Sequence, residues 1–160
     1  MKLDIPSLSP AMATPAVAPL ILVVDDNDIQ LDLSSVSLGR WGYEVITATS
    51  GVAALALCAD RLPDLVLCSW IMPGMSALDF CRAFRELSEN QYGYFILLTT
   101  EQERGEVARA LNAGADDFLI CPVSDLELRA RIMVGERILA MQRELTQKNR
   151  LITETLGVLQ

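Results

Sequence analysis

Histidine is absent from this 160-residue sequence, and lysine occurs only at Lys2 and Lys148. The first absence removes the commonest general base and the commonest nitrogen ligand for zinc. The cysteines, Cys58, Cys68, Cys81 and Cys121, show no CxxC spacing, and three of the four fall within apolar strand or helix patterns. They read as buried free thiols in a reducing cytoplasm rather than as a zinc site or a disulfide framework. Basic residues are few, 13 against 21 acidic ones, which leaves a net charge of -8. Such a surface repels phosphate backbones and argues against direct binding of nucleic acid. Long apolar runs are missing as well, since none reaches the roughly 18 residues of a membrane span. The opening "MKLDIPSLSPAMATPAVAPL" holds several prolines and lacks the continuous apolar stretch of a signal peptide. Residues 1–19 are therefore expected to be a disordered leader, with no membrane association.

What the sequence does have is a hydrophobic fraction of 51%, enough for one domain with its own core at this length. Short apolar runs alternate with helical periodicity. Strands are expected at 20–26, 43–49, 64–69, 94–100 and 116–120. Between them lie four helical patterns: "DIQLDLSSVSLGRWG", "SGVAALALCADR" capped by Ser50, "SALDFCRAFRELSE" and "EQERGEVARALNAG" with its C-terminal glycine. In the third, Ser76 is the N-cap and Asp79 is placed for a capping-box contact. From Ser124 a helical pattern continues to the end without proline. Strands separated by helices pair in parallel, and strands apolar on both faces lie in a sheet covered on both sides. Sites in such sheets form beyond the carboxyl ends of the strands, a rim that here comprises Asp25, Asp26, Ser69, Thr99 and Cys121.

In order and spacing, "ILVVDDN", "PDLVLCSWIMPGM", "FILLTT", "ALNAGADDFLICP" and "ELRARI" resemble the receiver domain of two-component response regulators, the CheY-like family. The resemblance covers residues 20–135 and implies a flavodoxin-like α/β fold, a five-stranded parallel sheet in the order 2-1-3-4-5. In that family paired acids after the first strand hold a divalent cation, and an aspartate after the third accepts a phosphoryl group. A Thr or Ser after the fourth strand and a lysine before proline after the fifth contact that group. The resemblance places the acids at Asp25 and Asp26, the hydroxyl at Thr99 and the switch aromatic at Phe118. Two positions depart from the family: Ser69 stands where the acceptor aspartate belongs, and Cys121 replaces the lysine.

Those departures change the chemistry. A serine hydroxyl without a base is a far weaker nucleophile than the family's carboxylate. The substitution also takes one of three negative ligands from a magnesium site, and the missing ammonium would have paired with phosphoryl oxygens. No lysine between Lys2 and Lys148 can stand in for it. The expectation is a degenerate receiver outside phosphotransfer, not an enzyme, with magnesium held weakly or not at all by Asp25 and Asp26. Three other readings stay open. One is a conventional regulator whose aspartate was replaced by design, against which Cys121 argues. Another is an enzyme with Ser69 as nucleophile, which lacks a base. The third is a small-ligand sensor in the emptied pocket. Each residue also has a plainer role: Asp25 to Asp28 as a helix N-terminus, Thr99 as a strand-end hydroxyl, Phe118 as core, and Cys121–Pro122 as a cis peptide turn.

The last helix extends past the point where a receiver normally stops. Over residues 136–160, Ile138, Leu145, Ile152 and Leu159 recur every seven residues, the spacing of a coiled-coil seam. The second series is weaker, either Gln142, Asn149 and Leu156 or Met141, Lys148 and Thr155. The expectation is a homodimer through this helix, marginal alone and helped by the globular domains. The helix would then link to an output domain beyond the chain or to a signalling partner. Similar receiver–helix arrangements precede cyclase, phosphatase or kinase domains, and the sequence does not select among them. The resemblance also implies a contact face on the fourth helix, fifth strand and fifth helix. The alternative is a single helix lying on its own domain.

Overall fold

The structure, a computed structural model, describes residues 18–158. β1 (Leu20–Val24) leads to α1 (Asp28–Arg40), β2 (Glu44–Ala48) to α2 (Gly51–Asp60), and β3 (Leu65–Ser69) to α3 (Ala77–Leu87). β4 (Tyr94–Thr99) then leads to α4 (Val107–Ala113), and β5 (Asp117–Ile120) to α5 (Asp125–Val158). All four strand pairings are parallel and the order is β2-β1-β3-β4-β5, as the resemblance implied. The inner strands are apolar on both faces because both faces are covered. Ile21, Val23, Leu65, Leu67 and Ile96 pack against Leu31 and Leu38 of α1 and Leu128, Ile132 and Leu139 of α5. Leu22, Val66, Phe95 and Leu97 meet Ala54 of α2, Phe80 and Phe84 of α3, and Ala110 of α4 on the other side.

Side chains at the helix starts explain where the helices begin. Asn27 accepts from the N–H groups of Ile29 and Gln30, Ser50 from Ala53, and Ser124 from Glu127. Ser76 accepts from the Asp79 N–H at 3.1 Å, but the Asp79 carboxylate pairs with Arg82, so only half of the expected capping box forms. The expected fourth helix over 101–114 is divided: Glu101–Glu106 winds as a 3-10 helix, and only Val107–Ala113 is α-helical. Thr100 supplies no side-chain cap there and Gly105 lies within the tighter stretch, so the first turns lack what would fix them as α-helix. Gly114, at φ +117°, closes α4 as a left-handed C-terminal glycine. At the front of the chain the fold begins before residue 20, since the Pro19 carbonyl accepts from the Glu44 N–H at 3.2 Å. The rest of the expected leader, residues 1–17, lies outside the described residues.

α5 is unbroken across residues 135 and 136, and its contacts with the domain run well past that point. Gly135 marks the close crossing over the sheet, where a Cβ would stand 2.6 Å from Tyr94 and 2.9 Å from Leu65. Beyond it, the Tyr43 hydroxyl donates to Glu136, Leu139 is core, and Arg143 pairs with Asp64 at 2.6 Å. Ile138 is therefore not free on an outer stripe as the seven-residue series suggested: it packs against the same cluster as Leu139. Leu145 and Ile152 are 55% and 58% exposed, whereas Leu159 lies outside the described residues.

At the amino ends of β4 and β5, Asp116 accepts from the Phe95 N–H, the Tyr92 hydroxyl and Arg85. Arg85 also donates to the carbonyls of Gly93 and Gly114, joining α3, β4 and the end of α4. This clasp sits at the opposite end of the sheet from the rim and serves the fold.

Candidate functional site

Parallel strands put their carboxyl ends on one rim, and the chain turns there from strand to helix. Asp25 leaves β1 with its N–H bonded to the Ala48 carbonyl, and its carboxylate accepts from the Asn27 N–H at 3.0 Å. Burial, and after it the charge of Asp26, raises the Asp25 pKa from the ordinary value, against the Asn27 N–H that lowers it. Ser69 ends β3, and its hydroxyl is 3.4 Å from the Ile71 carbonyl, a long contact. Thr99, 2% exposed at the end of β4, has only a 3.4 Å contact to the Thr100 carbonyl. Cys121 follows β5, held by its N–H on the Thr99 carbonyl at 2.7 Å and joined to Pro122 by a cis peptide. Burial, and then the charge of Asp25, pushes its thiol up, so it is a neutral, poor nucleophile.

Asp25, Ser69, Thr99 and Cys121 line one cleft of about 580 Å³. Asp26 is exposed and outside that lining, and Phe118, half-buried on β5, packs against the apolar cluster under α2 to α4 and does not line the cleft either. The cleft also has walls that strand-end reasoning did not reach: Leu33 and Ser37 of α1, Ile71 after β3, and Val123, Asp125 and Leu128 at the start of α5. One signal for them was legible. Ile29, Leu33 and Val36 follow helical spacing yet are exposed, off the buried stripe of α1.

A divalent cation needs oxygen ligands carrying charge. Among the described residues, no three His, Cys, Asp or Glu side chains converge on one point. The rim offers two neighbouring carboxylates, one of them already bonded to Asn27 and disfavoured as an anion, together with the hydroxyls of Ser69 and Thr99. That set does not fit a resident magnesium ion, and no ammonium or guanidinium lines the cleft to hold a phosphoryl group.

Comparison with known proteins agrees with this architecture. The family model for the response regulator receiver domain matches residues 21–133. The phosphate regulon transcriptional regulatory protein PhoB of Rhizobium meliloti is 38% identical over 114 residues, 71% of this chain and 50% of that protein. The response regulator PleD of Caulobacter vibrioides is 37% identical over 128 residues, 80% of this chain and 28% of that protein. The present chain thus matches half or less of each of these longer relatives. Among solved structures, the chemotaxis protein CheY4 of Vibrio cholerae superimposes with a TM-score of 0.69 at 28% identity, covering 74% of this chain and 98% of that one.

Proposed function

The chain belongs to the response regulator receiver family, and from that premise we propose that it is a degenerate receiver that takes no phosphoryl group. In this reading it acts in cytoplasmic two-component signalling as a dimerisation and protein-interaction module. It couples to an output domain or partner through α5, and it has no catalytic activity of its own. The observation that carries the reading is the rim itself: a hydroxyl at Ser69 and a neutral thiol at Cys121 where the family has a carboxylate and an ammonium. Without the carboxylate there is no acyl phosphate to form, and without the ammonium the incoming phosphoryl oxygens have no counter-charge. The apolar residues exposed along the outer part of α5, Leu145, Leu151, Ile152 and Leu156, support the dimer.

The deciding experiment is incubation of the full chain with magnesium and acetyl phosphate, read by intact mass. The expected spectrum shows the unmodified mass alone. A stoichiometric adduct labile to hydroxylamine would overturn the reading, because that lability identifies an acyl phosphate on a substitute carboxylate.

A further inference from the structure

We propose that the cleft on the carboxyl rim is a binding site for a small organic cation, an amine carried on an apolar body. The inference builds on the same departures at Ser69 and Cys121, but it concerns what the emptied site holds rather than what it has lost. Its volume of about 580 Å³ falls within the span usual for small-molecule sites.

Charge sets the sign of the ligand. The carboxylates in the lining belong to Asp25 and Asp125, and the lining contains no Arg or Lys. An anion entering here would meet two like charges and no opposite one. The N-termini of α1 and α5 would favour an anion, but Asn27 and Ser124 already satisfy N–H groups in both first turns. An ammonium is donor-only, and the cleft supplies acceptors to match. Besides Asp25 there is the Ser69 hydroxyl, and Thr99 is 98% covered with its oxygen's acceptor capacity unused.

The apolar walls set the rest of the ligand. Leu33 and Ile71 line the cleft while being 58% and 56% exposed, so they hold apolar surface in water that a ligand body would cover. Val123 and Leu128 continue that wall toward α5. An inorganic cation would leave this surface wet, and a neutral apolar compound would leave the Asp25 charge unpaired. A cationic head on an apolar body meets both.

The test is calorimetric titration of the full chain in magnesium-free buffer at neutral pH. The probes are 2-phenylethylamine, its anionic counterpart 3-phenylpropionate, and ethylamine. The amine with the ring should bind saturably, at least about tenfold more tightly than either of the other two. Asp25→Asn should weaken it by about tenfold or more while the variant stays folded by circular dichroism. Cys121→Lys, which places an ammonium on the same wall, should reverse the preference toward 3-phenylpropionate. Three results would each overturn the proposal: no saturable binding of 2-phenylethylamine up to about 10 mM, equal affinity for the anion, or unchanged affinity in Asp25→Asn. None of these involves a phosphodonor. Failure of amine binding therefore leaves the degenerate-receiver reading standing, and a phosphoryl adduct would remove that reading without touching this one.

Discussion

At the scale of single residues, the rim is governed by where charge is tolerated. Ser69 occupies the end of β3 with a neutral group, and Asp25 beside it holds a carboxylate that burial disfavours. Ser69→Asp would add a third carboxylate to the neighbourhood of Asp25 and Asp26, completing a more charged oxygen set. Magnesium should then bind about tenfold or more tightly than to the unaltered protein, roughly 1.4 kcal/mol. Trp70 adjoins Ser69 and lines the cleft, so its fluorescence reports the titration. Equal affinities would mean that position 69 does not limit metal binding. Asp25 gives a prediction of opposite kind. Its pKa is raised in the folded state, so folding favours the protonated form, and the penalty of the charged form appears as pH rises through that raised pKa. Asp25→Asn should therefore melt higher than the parent at neutral pH. The gain should shrink as pH falls through the carboxylate range, where the parent's carboxyl is itself neutral. Melting curves at both ends of that range decide the matter, and a gain independent of pH would rule out charge as its cause.

At the scale of elements, two helical glycines should respond to the same substitution with opposite sign. A Cβ on Gly39 of α1 meets nothing within 4 Å, so Gly39→Ala should stabilise by about 0.5–1 kcal/mol through backbone entropy. A Cβ on Gly135 would stand 2.6 Å from Tyr94 and 2.9 Å from Leu65, both in packed strands. Gly135→Ala should destabilise by about 1–3 kcal/mol despite the same entropic gain. Chemical denaturation of both variants tests the pair, and a stabilised Gly135→Ala would show that α5 can lift from the sheet at little cost. The Tyr43 phenol, hydrogen-bonded to Glu136 of α5, is pushed from 10 to about 12, chiefly by burial. Its neutral form belongs to the folded state, so its contribution is intact below pH 10 and is lost as pH rises toward about 12. Tyr43→Phe should therefore flatten the alkaline loss of stability, and an unchanged pH profile would place that loss elsewhere. The inner strands were legible in the sequence because a sheet covered on both faces leaves continuous apolar runs such as "LILVV" and "LVLC". The rim positions were legible for the same reason, since each follows such a run. The interruption of the fourth helix was not, because Glu101–Glu106 holds no apolar residue whose spacing could tell one helical winding from another. Nor were Arg143 with Asp64, 79 residues apart, or the wall that the start of α5 gives the cleft. Those depend on how helices lie on the sheet, which local periodicity does not encode.

At the scale of the whole molecule, α5 divides into a part that belongs to the domain and a part that does not. Through Leu139 and Arg143 the helix is fastened to the sheet and to Asp64. From Leu145 to Leu156 the side chains are exposed, and Leu145, Asn149, Ile152 and Leu156 follow the four–three–four spacing of a seam. Two such helices in parallel would bury the three apolar residues and set Asn149 against its own copy. A lone polar residue at that kind of position favours one register at a cost in affinity. The described seam spans about two heptads, which associate weakly by themselves, and a dissociation constant near micromolar, about -8 kcal/mol, is expected for these 160 residues. The net charge of -8 opposes the approach of two copies. Added salt should therefore tighten the dimer, by screening repulsion between the acidic domains. Sedimentation at matched concentrations gives the test. Truncation after Glu144 keeps the Arg143–Asp64 pair and should yield a folded monomer. Ile152→Asp should do likewise by forcing an unpaired carboxylate into the seam, and Asn149→Leu should tighten association while relaxing the choice of two strands. If truncated and full chains sediment alike, the tail does not determine the dimer. The association surface must then lie on the receiver itself, where α4, β5 and the fastened half of α5 present the remaining face.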